Sequence, residues 1–170
     1  MPDTLHELVK AEKLIAAASE WTRKGRRLEL KLPLEIDGLI EEGLFLRASA
    51  LERLPDREVV FQLEYHGVRI PGEGGPLARV EWNSIRPHNN KGIGPPELRF
   101  LEQSPSHMHL FEDNWSDTTG ALRGDNLPVA RPVPQPIQGF DECLRFVGSL
   151  FRINNITLVK TPEWVYSFDL

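Results

Sequence analysis

Arg27-Leu28-Glu29-Leu30-Lys31-Leu32-Pro33-Leu34-Glu35-Ile36 alternates aliphatic residues with charged ones or proline. Successive side chains of a strand point to opposite faces, so the stretch predicts a half-buried strand with Leu28, Leu30, Leu32, Leu34 and Ile36 inward. Pro33 has no amide hydrogen to give to a ladder, which predicts an edge position. One buried and one polar face is the pattern of an antiparallel sheet with a single covered side.

Upstream, the spacing predicts a helix from about Thr4 to Lys24. Leu5, Leu8, Val9, Leu14, Ile15, Ala18 and Trp21 fall near the 3.6-residue period, and Thr4 and Glu7 have capping-box spacing. Arg23-Lys24-Gly25-Arg26-Arg27 supplies the cations and glycine that suit a helix end, a better reading than a phosphate patch. Downstream, further strands are predicted near Leu44–Leu51, Val59–Tyr65 and Leu77–Ser84, with shorter ones near 97–102 and 107–111. Ala78, Val80 and Trp82 are expected inward, and Arg79, Glu81 and Asn83 outward. From about 112 to 136 no period survives, so an irregular loop is expected. A closing helix over about 138–152 carries Phe140, Cys143, Leu144, Val147, Leu150 and Phe151, and 156–160 adds a short strand. The expected fold is α+β, one domain over 1–170. It is an antiparallel meander of about five or six strands, with an N-terminal and a C-terminal helix on one face and the other face partly open.

The 170 residues are 40% hydrophobic and 26% charged, an ordinary globular balance. A net charge of −5 gives no global attraction to nucleic acid or an anionic membrane. The single cysteine, Cys143, lies on the apolar stripe of the last helix and allows no internal disulfide, which suits a reducing compartment. No apolar run reaches the roughly 20 residues a membrane helix needs, and the acidic N-terminus does not look like a signal peptide. A cytoplasmic protein with no membrane partner is expected.

The chemistry concentrates in Glu81-Trp82-Asn83-Ser84-Ile85-Arg86-Pro87-His88-Asn89-Asn90-Lys91 and Ser106-His107-Met108-His109, which hold three of the five histidines. On a strand His107 and His109 share a face roughly 7 Å apart. Arg79, Glu81 and Asn83 are expected on that face, with His88, Asn89, Asn90 and Lys91 folding over its rim. The candidate catalytic residues are therefore His107, His109, His88 and Glu81. Arg79, Arg86, Lys91 and Asn83 are the candidate substrate-binding residues.

Three readings compete. In the first, the histidines are acid and base in metal-free cleavage of RNA, with Arg79, Arg86 and Lys91 holding phosphate and no cofactor needed. In the second, His107, His109, His88 and Glu81 ligate a divalent ion such as zinc or iron. In the third, they are polar residues of an exposed face. The cupin pattern fails, because Glu112 follows His109 too soon and Leu101 stands where a glycine is needed. No nucleophile elbow, P-loop or dinucleotide fingerprint occurs, and Gly72–Pro76 lacks the lysine of a phosphate cradle. Trp115 and Trp164 are candidate partner anchors in a non-catalytic alternative. His6 and His66 receive no role.

The order Leu77-Ala78-Arg79-Val80-Glu81, Pro87-His88-Asn89 and Ser106-His107-Met108-His109, with Phe140 and Phe146 in the later helix, resembles TumE-type toxins. These belong to a group of small bacterial proteins often encoded beside helix-turn-helix regulators. Residues 77–152 carry the resemblance. The chain departs from the group in having Glu81 where aspartate is usual, and in its proline-rich stretch before the last helix. The resemblance implies a toxin-antitoxin or mobile-element setting, nucleic-acid cleavage, and a helix-turn-helix antitoxin or regulator as partner.

Overall fold

The computed structural model describes residues 1–166 except 73, 103 and 125. Its class is α+β, built on an eight-stranded sheet larger than the expected meander. The long strands are β3 (Arg27–Ile36), β4 (Leu39–Leu51), β5 (Val59–Tyr65) and β6 (Gly75–Trp82), each antiparallel to the next. The short β1 (Leu14–Ile15) and β2 (Thr22–Lys24) pair with the outer side of β3. On the far side β6 pairs with β7 (His107–His109), and β7 with β10 (Arg131–Pro132).

Register explains the two faces. Leu30, Ala48, Phe61 and Val80 stand opposite one another across β3 to β6, as do Leu32, Leu46, Leu63 and Ala78, and all are buried. The amphipathic helix α3 (Phe140–Phe151) packs on this face. Phe140 meets Phe61 at 6.0 Å between ring centroids, and the Trp82 indole donates to the Ile137 carbonyl near the helix start. Gly148 lets Ile156 sit against the helix backbone where a Cβ would collide. The opposite face carries a row of polar side chains in register: Lys31, Arg47, Gln62, Arg79 and His109. Glu29, Ser49, Val60, Glu81 and His107 form the adjacent row.

Several expectations need correction. The N-terminal helix α1 runs only Leu5–Lys10; Thr4 caps it, accepting from the Glu7 amide. The chain leaves the helix because long-range partners outcompete local bonds. The Lys13 amide donates to Arg152 O, the Ile15 amide to Asn155 Oδ1, and Leu14 and Ile15 pair with β3. The basic cluster is not a helix end but a hairpin, with Gly25 in the left-handed region (φ 64°) between β2 and β3. Residues 97–102 form turns rather than a strand, with an isolated Asn89–Glu102 bridge and a bond from Asn90 to the Leu98 carbonyl, and 156–160 holds a single 3₁₀ turn, Ile156–Leu158. The stretch 112–136 is not structureless. It contains α2 (Phe111–Asn114), a small hairpin of β8 (Trp115–Ser116) and β9 (Ala121–Leu122), and β10. No helix among the described residues is long and apolar enough to cross a membrane.

Candidate metal centre

The pairing of β6 with β7 sets the site. Arg79 lies opposite His109 and Glu81 opposite His107, so four polar side chains project from one patch of the polar face. The turn that leaves β6 brings His88 back over them. Its ring stacks on His107 at 5.3 Å and stands edge-on to His109 at 4.9 Å, and the other two rings are 5.3 Å apart. One nitrogen from each histidine lies within 4.8 Å of the others.

Hydrogen bonds fix which nitrogen of each ring carries hydrogen. His107 Nδ1 meets the Ser104 carbonyl at 3.0 Å and His109 Nδ1 the Leu127 carbonyl at 2.6 Å. Both partners only accept, so both Nδ1 atoms carry hydrogen. His88 Nε2 faces the Pro128 carbonyl and Asn90 Oδ1, each at 3.0 Å. The Asn90 amide orientation is itself fixed: Oδ1 accepts from the Ala130 amide, while Nδ2 donates to the Leu98 and Ala130 carbonyls. His88 Nε2 therefore donates as well. Three lone pairs are left, on His88 Nδ1, His107 Nε2 and His109 Nε2.

Glu81 closes the group. Its Oε2 is 3.5 Å from His107 Nε2, and its Oε1 is 3.5 Å from His109 Nε2 and 3.0 Å from Arg79 Nε. Arg79 also reaches His109 Nε2 at 3.3 Å. His107 Nε2 is buried with no hydrogen-bond partner among the described residues, the kind of orphan that native interiors rarely keep. Tetrahedral ligands on bonds of about 2.1 Å sit roughly 3.4 Å apart, so the histidine–carboxylate spacings are those of neighbouring ligands.

The electrostatics agree with this spacing. Burial, with the Arg79 cation beside it, pushes the His109 pKa down to about 4 against the opposing pull of Glu81. Burial likewise lowers His88. For Glu81, burial alone would raise the pKa, but hydrogen bonds from His107 and His109, in the states where their Nε2 carries a proton, and the Arg79 cation hold it well below the ordinary carboxylate range. At neutral pH the patch presents basic nitrogens and an ionised carboxylate, a donor set for a cation.

A pH prediction follows for chelator-treated protein. The unfolded chain protonates His109 near 6.5, the folded chain near 4. Between these values the unfolded state binds more protons, so stability falls as pH drops through that window, by about 3 kcal/mol. Glu81, depressed in the fold, adds loss of the same sign below its ordinary value. Urea midpoints measured in EDTA from pH 7 to pH 4 should fall accordingly. A flat profile contradicts the assigned protonation states.

Asn83, Arg86 and Lys91 stand apart from this patch. Asn83 is a turn residue (φ 50°) whose Nδ2 donates to the Asp56 carbonyl. Arg86 and Lys91 are exposed, and among the described residues no hydrogen bond or ion pair joins either to the histidines. His107 and His109 do not lie on an open face. They are 1% and 0% exposed, covered by the segment that brings the Leu127 and Pro128 carbonyls. Two residues without an assigned role in the sequence hold that segment. Asn90 ties Ala130, and Asn114 donates to the Val129 carbonyl while accepting its amide. Leu127 is held left-handed (φ 59°) while its carbonyl accepts from His109, a costly conformation for a leucine. Trp115 packs on His6 and Phe111 rather than standing free as a partner anchor. Comparison with family models, with curated proteins and with solved structures returns no match for this chain, so the site is read from its own geometry.

Proposed function

We propose that this protein is a metalloprotein, binding one divalent first-row transition ion through His88 Nδ1, His107 Nε2, His109 Nε2 and Glu81. The observation that supports the reading is the pinning of all three ring N–H groups by oxygen acceptors, which leaves one lone pair on each of three rings clustered within 4.8 Å of one another by a nitrogen each. Metal-binding histidines use such outer partners to fix tautomer and ring orientation. Arg79 keeps Glu81 ionised and oriented. Imidazole suits zinc, iron, nickel and copper. A bound ion would supply Lewis-acid chemistry there, with the partly exposed Glu81 and His88 on the side open to substrate.

The test is elemental analysis of untagged protein, then chelation and titration with zinc, iron(II), nickel and manganese. One ion per chain, retained through gel filtration, is expected. Failure of every ion to bind stoichiometrically overturns the reading.

A second reading is the metal-free ribonuclease of a toxin-antitoxin pair, with His107 and His109 as acid and base. The guanidinium of Arg79 within reach of His109 and Glu81 favours it, since such a group stabilises phosphate charge. Cleavage of total RNA that persists in EDTA and disappears in a His107→Ala/His109→Ala variant would support it over the metal centre.

A further inference from the structure

The proposed metal site leaves unused a cavity of about 490 Å³ between α1, residues 70–72 and 74–76 and the β8–β9 hairpin. Its volume lies in the range of small-molecule pockets. Leu5, Ile70, Leu122 and Leu127 give it apolar walls, and Trp115 an aromatic one. His6 on α1 stands edge-on to both Trp115 (4.5 Å) and Phe111 (4.8 Å), which holds that wall rigid.

The two charges on the described lining differ in exposure. Of the described lining residues Asp3 and Arg123 carry full charges, and the Asp3 carboxylate lies at 3.7 Å from Arg69, outside the lining. Arg123 is anchored by its own amide, which donates to the Asn114 carbonyl at 2.7 Å, and its Nε is buried with no hydrogen-bond partner among the described residues. A half-buried guanidinium with an unused Nε–H beside apolar walls calls for an acceptor that brings negative charge. A carboxylate meets the planar fork of arginine in paired bonds, and a flat apolar body fills the space against Trp115 and Leu127.

We propose that this cavity is a binding site for a small organic monocarboxylate with a flat, apolar body. It touches the metal centre at one residue only, Leu127, whose carbonyl holds His109. Binding of the acid does not require the ion.

The full chain is titrated by calorimetry with 3-phenylpropionate, indole-3-acetate and 2-naphthoate, and with 3-phenylpropylamine as the cationic counterpart of the first. At least one acid is expected to bind one per chain with sub-millimolar affinity, and the amine not to bind. Arg123→Gln should weaken the acid at least tenfold. Ala121→Trp, at an exposed lining position, should block it while leaving the melting temperature unchanged, so that loss of binding is not loss of fold. Absence of saturable binding by all three acids, equal binding of acid and amine, or binding indifferent to Arg123→Gln each overturns the proposal. All arms are run in EDTA, so failure of the metal reading leaves the result interpretable.

Discussion

His107→Ala is expected to lower the affinity for a divalent transition ion about a thousandfold, some 4 kcal/mol of binding free energy. His107 is the informative position because its Nε2 has no competing hydrogen bond among the described residues, so the substitution removes an unengaged lone pair together with the Nδ1 bond to Ser104. Asn90→Ala should act one step further out. It frees the His88 ring to turn and should cost about ten- to a hundredfold, the usual effect of an outer partner. Arg86→Ala and Lys91→Ala should leave affinity unchanged. Metal-induced thermal stabilisation reads the same ranking. Wild type gains about 2.7 kcal/mol at an ion concentration a hundredfold above Kd, and His107→Ala loses that gain at the same concentration. If the histidines only knit the loops together, Asn90→Ala and His107→Ala will lower stability while added metal shifts neither wild type nor variant. That outcome removes the metal centre.

How far the sequence announces this arrangement depends on the kind of interaction involved. Leu28 to Ile36, Val59 to Tyr65 and Ala78 to Trp82 are legible because a sheet buried on one face writes its register as strict alternation. The same alternation puts Arg79, Glu81, His107 and His109 on the polar face, and neighbouring strands in the chain pair as antiparallel neighbours usually do. The N-terminal misreading has the opposite origin. Leu5 to Trp21 has helical spacing, yet Leu14 and Ala18 are exposed, and the bonds of Lys13 and Ile15 run to residues about 140 positions away. Propensity is a weak prior against such partners. The polar face was expected to be open, whereas the strand β10 and the 127–130 segment cover the histidines. That cover is built from backbone carbonyls and two asparagine amides, which leave no periodic or compositional trace.

Lys13→Met is expected to cost about 3 kcal/mol of folding stability, the largest loss we anticipate from a substitution outside the metal patch. The side chain is 1% exposed, and its ammonium donates to three carbonyls: Val9 (2.9 Å), Ala11 (2.7 Å) and Phe151 (3.2 Å). These oxygens belong to the last turns of α1 and α3, where the helix dipole favours a cation. Burial, with Arg152 nearby, pulls the lysine pKa down to about 8, so at pH 7 it is still charged and uses all its N–H bonds. Methionine matches the volume and spares the cost of burying a charge. It nevertheless leaves the three carbonyls without their donor, and that loss outweighs the gain. For a chain of this size the melting temperature should fall by roughly 6–12 °C. Hydrogen exchange should quicken first in α1 and at the end of α3, the two helix ends the ammonium joins, while β4 and β5 keep their protection. An unchanged melting temperature would mean that those carbonyls find water or other donors, and that the pairing of Leu14 and Ile15 with β3 is what stops the first helix at Lys10.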